Sequence, residues 1–183
     1  MKLEPLVKDT IYHIYNRGIN GENIFATAEN KSYLLKLLDK HLGDSASVLA
    51  FCLMDNHFHL LLKINADGEI VTRNLSNLFN AYAKAFNKAT NRTGSLFEKH
   101  FKRIKVDDEN YLKQLVVYIH LNPKHHFELD FTKFKYSSYN AFLSDKETKI
   151  DRDEILKLFE DRENFIYVHH QKKELLDEKF ILE

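Results

Sequence analysis

SVLAFCLMDNHFHLLLKI, residues 47–64, holds two apolar runs of strand length on either side of the turn pair Asp55-Asn56. The turn is short enough to fold SVLAFCLM (47–54) and HFHLLLKI (57–64) into a hairpin. The second run opens with His57, Phe58 and His59 and continues with Leu60, Leu61 and Leu62. Strand side chains alternate between faces, so the two histidines share one face and Phe58 takes the other. The unbroken leucines put this strand in the middle of a sheet, covered on both sides.

Outward from the hairpin, IYHIYNR (11–17) alternates as a strand and Gly18 to Gly21 reads as a turn. ENKSYLLKLLDKHL (29–42) has helical spacing and stops at Gly43. Residues 70–90 carry Leu75, Leu78, Phe79, Tyr82 and Phe86 at the spacing of a long amphipathic helix. HFKRIKV (100–106) is a fourth strand, and ENYLKQLVVYIHLN (109–122) is a helix capped at Asp107-Asp108 and expected to end before Pro123. The order β-α-β-β-α-β-α implies an α+β fold: a ferredoxin-like βαββαβ antiparallel sheet with helices on one face, plus an added helix. Residues 123–150 read as irregular. The tail 151–183 is charged and helix-prone, with Ile155, Leu156, Leu158 and Phe159 as a docking face.

The chain has 183 residues, 44% of them hydrophobic, which fits one ordinary domain with a small appendage and excludes a disordered chain. The single cysteine, Cys52, excludes an internal disulfide and suits a cytoplasmic protein. No window reaches the apolar length of a membrane span, and the N-terminus lacks signal-peptide architecture. Net charge is zero, but unevenly distributed: residues 1–150 hold 21 basic and 17 acidic side chains, residues 151–183 hold 6 and 10. The segment 84–105 has seven Lys or Arg against one acid, Glu98. Such a stripe can neutralise phosphates, or it can be a solvated surface.

His57 and His59, about 6–7 Å apart along a strand, can hold one metal ion or be two histidines satisfied by neighbours. No cysteine stands near to complete a structural zinc site, and two ligands leave coordination positions open for chemistry. On the helix 109–122, Leu112, Leu115, Val116 and Ile119 form a core face, with Tyr111, Tyr118 and Asn122 as a stripe at its rim. Tyr118 and Asn122 are neighbours four residues apart. A metal on a phosphate would let a tyrosine attack it, and an amide oxygen is a plausible hard ligand for Mg²⁺ or Mn²⁺. Tyr111 is the second candidate for that attack.

These stretches together resemble the IS200-like, single-tyrosine HUH transposases, most nearly the branch associated with repetitive extragenic palindromes. The resemblance covers most of residues 10–142. It rests on Tyr12-His13-Ile14-Tyr15-Asn16-Arg17-Gly18, Met54-Asp55-Asn56-His57-Phe58-His59-Leu60-Leu61, Gly94-Ser95-Leu96-Phe97 with Phe101-Lys102, Tyr118-Ile119-His120-Leu121-Asn122-Pro123, and Tyr136-Ser137-Ser138-Tyr139. It implies a catalytic domain over residues 1–142; the remainder, 143–183, reads from its charge and helix propensity as an acidic helical extension. It implies Tyr118 as nucleophile, forming a 5′-phosphotyrosine link and freeing a 3′-hydroxyl. It implies His57, His59 and Asn122 as ligands of Mg²⁺ or Mn²⁺, and single-stranded or hairpin DNA as partner. Arg17, Lys63, Lys102, Arg103 and Lys105 are the candidate phosphate contacts, and Phe97 a candidate for stacking on bases. Where many relatives continue with Val-Arg-Ala after the proline, this chain has Lys124-His125-His126. Monomer and homodimer are both open. Two other functions remain: a catalytically idle module gripping hairpin DNA, and a metal-dependent hydrolase using His57, His59 and one of His120, His125 or His126 without a tyrosine intermediate.

Overall fold

Residues 4–172 are described by a computed structural model of the chain. Four strands, β1 (Ile11–Arg17), β2 (Ala46–Leu53), β3 (His57–Ile64) and β4 (Lys102–Val106), form one antiparallel sheet in the order β2-β3-β1-β4. Helices α1 (Ala28–Leu42) and α2 (Gly68–Ala89) connect β1 to β2 and β3 to β4. This is the ferredoxin-like plan expected above, and β3 is central as its leucines require.

Both faces of β3 are covered. Phe58, Leu60, Leu62 and Ile64 point to α1 and α2, where they join Tyr12, Ile14, Leu34, Leu75 and Phe79 in one apolar cluster. Phe58 is fully buried, with its ring stacked 5.1 Å from Phe79. The other face carries His57, His59, Leu61 and Lys63, and over it runs α3 (Glu109–Phe127) with its own apolar cluster of Leu112, Leu115, Val116 and Ile119. The added helix therefore makes a third layer.

Helix α3 does not end before Pro123; it continues one turn, to Phe127. Proline forfeits one backbone donor. Here the ring is buried, and the turn closes with Glu128 in the left-handed region donating its N–H to the Lys124 carbonyl at 3.0 Å. The extra turn carries His126 and Phe127 to the site. Residues 123–150 are also more ordered than their composition suggests. They include α4 (Tyr139–Leu143), and Ser137 and Ile150 bridge to Cys52 and Val48 along the outer edge of β2. Those bridges cover a strand edge that would otherwise be open to pairing.

Two further helices, α5 (Arg152–Leu158) and α6 (Arg162–Lys172), complete the description; residues 173–183 of the expected tail lie outside it. Ile155, Phe159 and Phe165 are fully buried in the α3 cluster, so the docking face centred on Ile155 and Phe159 is observed. This cover buries the His120 side of α3, and Tyr118 and Asn122, facing β3 from the other side, are interior residues, not rim residues. No helix among the described residues is long and apolar enough to cross a membrane.

Replacing Phe58 by Ala removes a fully buried ring between β3 and α2. The expected loss is about 3–5 kcal/mol of unfolding free energy, measured by urea denaturation.

Candidate active site

The strand pairing assembles the site. Opposite His59 on β1 stands Tyr15, and opposite His57 stands Arg17. Cross-strand partners share a face, so Tyr15, Arg17, His57 and His59 all look toward α3, together with Lys102 from β4. A cavity of about 250 Å³ opens here, with His57, His59, Tyr15, Lys102, His126 and Phe127 among its walls. Arg17 and Glu98 pair at 2.6 Å on its rim.

His57 has an unusual pair of neighbours. Its Nδ1 lies 2.7 Å from Asn56 Oδ1 and its Nε2 lies 2.9 Å from Asn122 Oδ1. Each amide is oriented from its other end: Asn122 Nδ2 donates to the Tyr118 carbonyl at 3.4 Å, and Asn56 Nδ2 to the Gly21 carbonyl at 3.5 Å. Burial pushes the His57 imidazole down to about 4, so it is neutral near pH 7 and has a single N–H. One N–H cannot serve two carbonyl oxygens. With the proton on Nδ1, in the shorter contact, the Nε2 lone pair and Asn122 Oδ1 converge. Their 2.9 Å separation matches the roughly 3 Å between adjacent ligands of an octahedral ion bound at about 2.1 Å.

His59 is arranged in the same sense. Its Nδ1 lies 2.9 Å from His13 Nε2, and burial holds it well below the ordinary imidazole range, with His13 and His57 adding to the effect. When His59 donates from Nδ1, its Nε2 carries the lone pair a metal needs. Both histidines then have an orienting partner behind Nδ1, as metal-binding imidazoles usually do. The donor set is two imidazoles and one amide oxygen, which fits a hard divalent ion. Among the described residues no group of three or more His, Cys, Asp or Glu side chains is arranged to hold a metal.

Tyr118 lies on α3 with its ring edge-on to His59, centroids 5.5 Å apart. It is only 3% exposed and does not line the cavity. Tyr15, by contrast, does line it, 6.0 Å from the His59 ring. Of the candidate phosphate contacts, Arg17 and Lys102 are on the cavity wall. Arg103 turns to the other sheet face, with Nη1 3.1 Å from the Glu4 carbonyl and its guanidinium over Phe101. Lys105, opposite Tyr12, shares that face. Lys63 is at the far end of β3, bound to Glu154 of α5 at 2.8 Å. Phe97 packs edge-on to Phe58 and Phe79, also on the α1–α2 side.

Sequence reasoning singled out neither Asn56 nor His13 nor Tyr15 as a site residue. Asn56 reads as a turn residue. His13 and Tyr15 alternate onto one face of β1, a signal that becomes useful only once the β1–β3 register is known.

The other histidine on α3 belongs elsewhere. His169 Nδ1–H donates to the Phe165 carbonyl at 2.7 Å, so His169 Nε2 accepts from His120 Nδ1–H at 2.9 Å. His120 Nε2 then accepts from Ser138 Oγ at 2.7 Å, and Ser138 Oγ accepts the Phe51 N–H at 2.9 Å. Every proton in this chain of bonds has a place, and it clamps α6, α3 and β2 together.

The sequence model of the family described as "Transposase IS200 like" matches residues 6–122. Among solved structures, a REP-associated tyrosine transposase bound to a REP hairpin is similar at a TM-score of 0.60 and 14% identity, covering 78% of this chain and 84% of that one. A transposase candidate from Deinococcus radiodurans R1 is similar at a TM-score of 0.44 and 17% identity, covering 62% of this chain and 91% of that one. The comparison with curated proteins found no match.

Burial pushes His169 down to about 3 and holds His120 well below its ordinary value. Both bind protons more readily when unfolded. For His169 this stability is complete above about 6.5 and is lost as pH falls toward about 3, at up to about 1.4 kcal/mol per pH unit, and His120 acts in the same direction. Denaturation midpoints of His169→Gln should therefore fall less steeply between pH 6.5 and 4 than those of the native chain.

Proposed function

The chain belongs to the IS200-like transposase family, and from that premise we propose that it cuts and rejoins single-stranded DNA through a covalent link to Tyr118. The observation that carries this reading is the meeting of His57 and His59 with Asn122 and Tyr118 where β3 crosses α3. The neighbouring REP-associated transposase is bound to a hairpin, and a hairpin with a single-stranded flank is the substrate class proposed here.

His57, His59 and Asn122 would hold Mg²⁺ or Mn²⁺, which when bound draws negative charge from a phosphate oxygen. Arg17 and Lys102 hold the same phosphate electrostatically from the cavity wall. Tyr118 gives up its phenolic proton to solvent and forms a bond from that oxygen to phosphorus. The bond from phosphorus to the 3′ oxygen breaks, and that oxygen leaves as a 3′-hydroxyl after taking a proton. Attack by another strand's 3′-hydroxyl on the phosphotyrosine reverses the step and joins DNA without an external energy source. Tyr118 is covered in this structure, so attack requires the layer between α3 and the cavity to open. Arg103, Lys105 and Lys63 contact DNA only if the strand extends beyond the cavity.

The cavity-lining position of Tyr15 supports one competing assignment of the nucleophile. His126, whose ring is 4.9 Å from that of His57, supports a hydrolase that needs no tyrosine. Both are decided by one experiment. A labelled single-stranded hairpin incubated with Mn²⁺ should give a protein–DNA adduct on a denaturing gel. Tyr118→Phe should lose the adduct and retain DNA binding, and Tyr15→Phe should retain both. An adduct absent only in Tyr15→Phe reassigns the nucleophile, and cleavage without any adduct favours the hydrolase.

Asn56→Ala removes the group behind His57 without removing a ligand. Its Mn²⁺ affinity, measured by titration calorimetry, should fall about 10–100-fold, with the circular dichroism spectrum unchanged.

A further inference from the structure

A second groove adjoins the active-site cavity. It has a volume of about 650 Å³ and runs between α2 and the loop 94–101. Asn16 and Glu98 line both spaces, and Asn16 Nδ2 donates to the Glu98 carbonyl at 3.3 Å, so these two residues form the partition between them. The groove is held open by the fold: Asn87 Nδ2 donates to the Gly94 carbonyl at 2.9 Å and ties the loop to α2.

The chemistry of this groove departs from the rest of the molecule. Residues 70–97 contain no Asp or Glu, although the chain has 27 acids in 183 residues. The same stretch carries Arg73, Lys84, Lys88 and Arg92, and five asparagines. Lys84 and Asn80 from α2 face Lys99 and His100 from the loop across the groove. The acid in its wall, Glu98, is neutralised by Arg17. A surface whose one carboxylate is paired with Arg17, and that offers ammonium groups and amides, suits a polyanion with hydrogen-bonding edges. Phe97, part-buried in the wall, offers an aromatic edge beside these groups.

We infer that the groove between α2 and the loop 94–101 holds the single-stranded DNA that flanks the phosphate in the His57 cavity. Lys84 and Lys99 contact its phosphates, and Asn80 and Phe97 contact its bases. The identity of the strand rests on the strand-transferase reading; the polarity of the groove does not. A single strand fits better than a duplex because the groove ends at the Asn16–Glu98 partition, beside a cavity walled by side chains from three strands and the end of α3, where one phosphate has to be enclosed.

The test measures binding of the full chain to a fluorescent oligo-thymidine strand and to a blunt duplex of equal length. Lys84→Glu with Lys99→Glu should lower single-strand affinity about tenfold or more and flatten its salt dependence, by about 0.7 in logarithmic slope for each phosphate no longer neutralised. Asn80→Leu, at an exposed position and with no change of charge, should also weaken binding. Lys149→Glu with Lys146→Glu, an equal charge change away from this groove, should not. Single-strand affinity equal to that of the native chain in the Lys84/Lys99 and Asn80 variants overturns the proposal, as does equal weakening by Lys149→Glu with Lys146→Glu. Unchanged binding in the groove variants, with the Tyr118 adduct intact, discards the groove and leaves the transferase. Weakened binding in them, with no adduct from the native chain, keeps the groove and discards the transferase.

Discussion

The contact between His57 Nε2 and Asn122 Oδ1, 2.9 Å long, joins the central strand to the helix that crosses it. Its formation requires the histidine face of β3 to look toward α3, and that depends on register. A slip of one residue in the β1–β3 pairing would turn His57 and His59 into the apolar layer and Phe58 out of it. The hydrophobic demand of Phe58, Leu60, Leu62 and Ile64 on the α1–α2 side therefore positions the polar site on the other side. Stability and site geometry are set by the same alternation.

Two histidine clusters lie along α3, and comparing them separates structure from chemistry. Around His120, donors and acceptors alternate from the Phe165 carbonyl to the Phe51 N–H, and the Phe51 carbonyl, 3.3 Å from Ser138 Oγ, is already satisfied by the Ser138 N–H. A buried polar network of that kind holds layers together. Around His57 the protons do not match: a neutral ring faces two amide oxygens. That mismatch is one that a cation between the ring and the Asn122 amide would relieve. It also assigns Asn56 and His13 their part, as the groups that fix which nitrogen of each ring turns to the site.

Much of this was legible in the sequence because it follows from periodicity. The strand at 57–64, its central position and the helices at 29–42 and 70–90 follow from the spacing of apolar residues, and the Tyr118–Asn122 proximity follows from helix geometry. What could not be read depends on contacts distant in sequence. The passage of α3 through Pro123 depends on burial of that proline, and it brings His126 and Phe127 to the cavity. Tyr118 and Asn122 look like rim residues on an isolated helix, but they are buried against His59 and His57 of β3 while α6 covers the His120 side of the helix. His13 and Tyr15 join the site through a pairing register that no local pattern encodes. The basic stripe at 84–105 is divided in space. Lys102 serves the cavity, Lys84 and Lys99 the neighbouring groove, and Arg103 the opposite face.

The mismatch at His57 is the centre of the account, and anomalous diffraction from crystals grown with Mn²⁺ tests it directly. One anomalous peak is expected, ligated by His57 Nε2, His59 Nε2 and Asn122 Oδ1, with the two Nδ1 atoms still facing Asn56 and His13. A peak ligated by His57 and His126 without Asn122, or no peak in the cavity at saturating Mn²⁺, would contradict it.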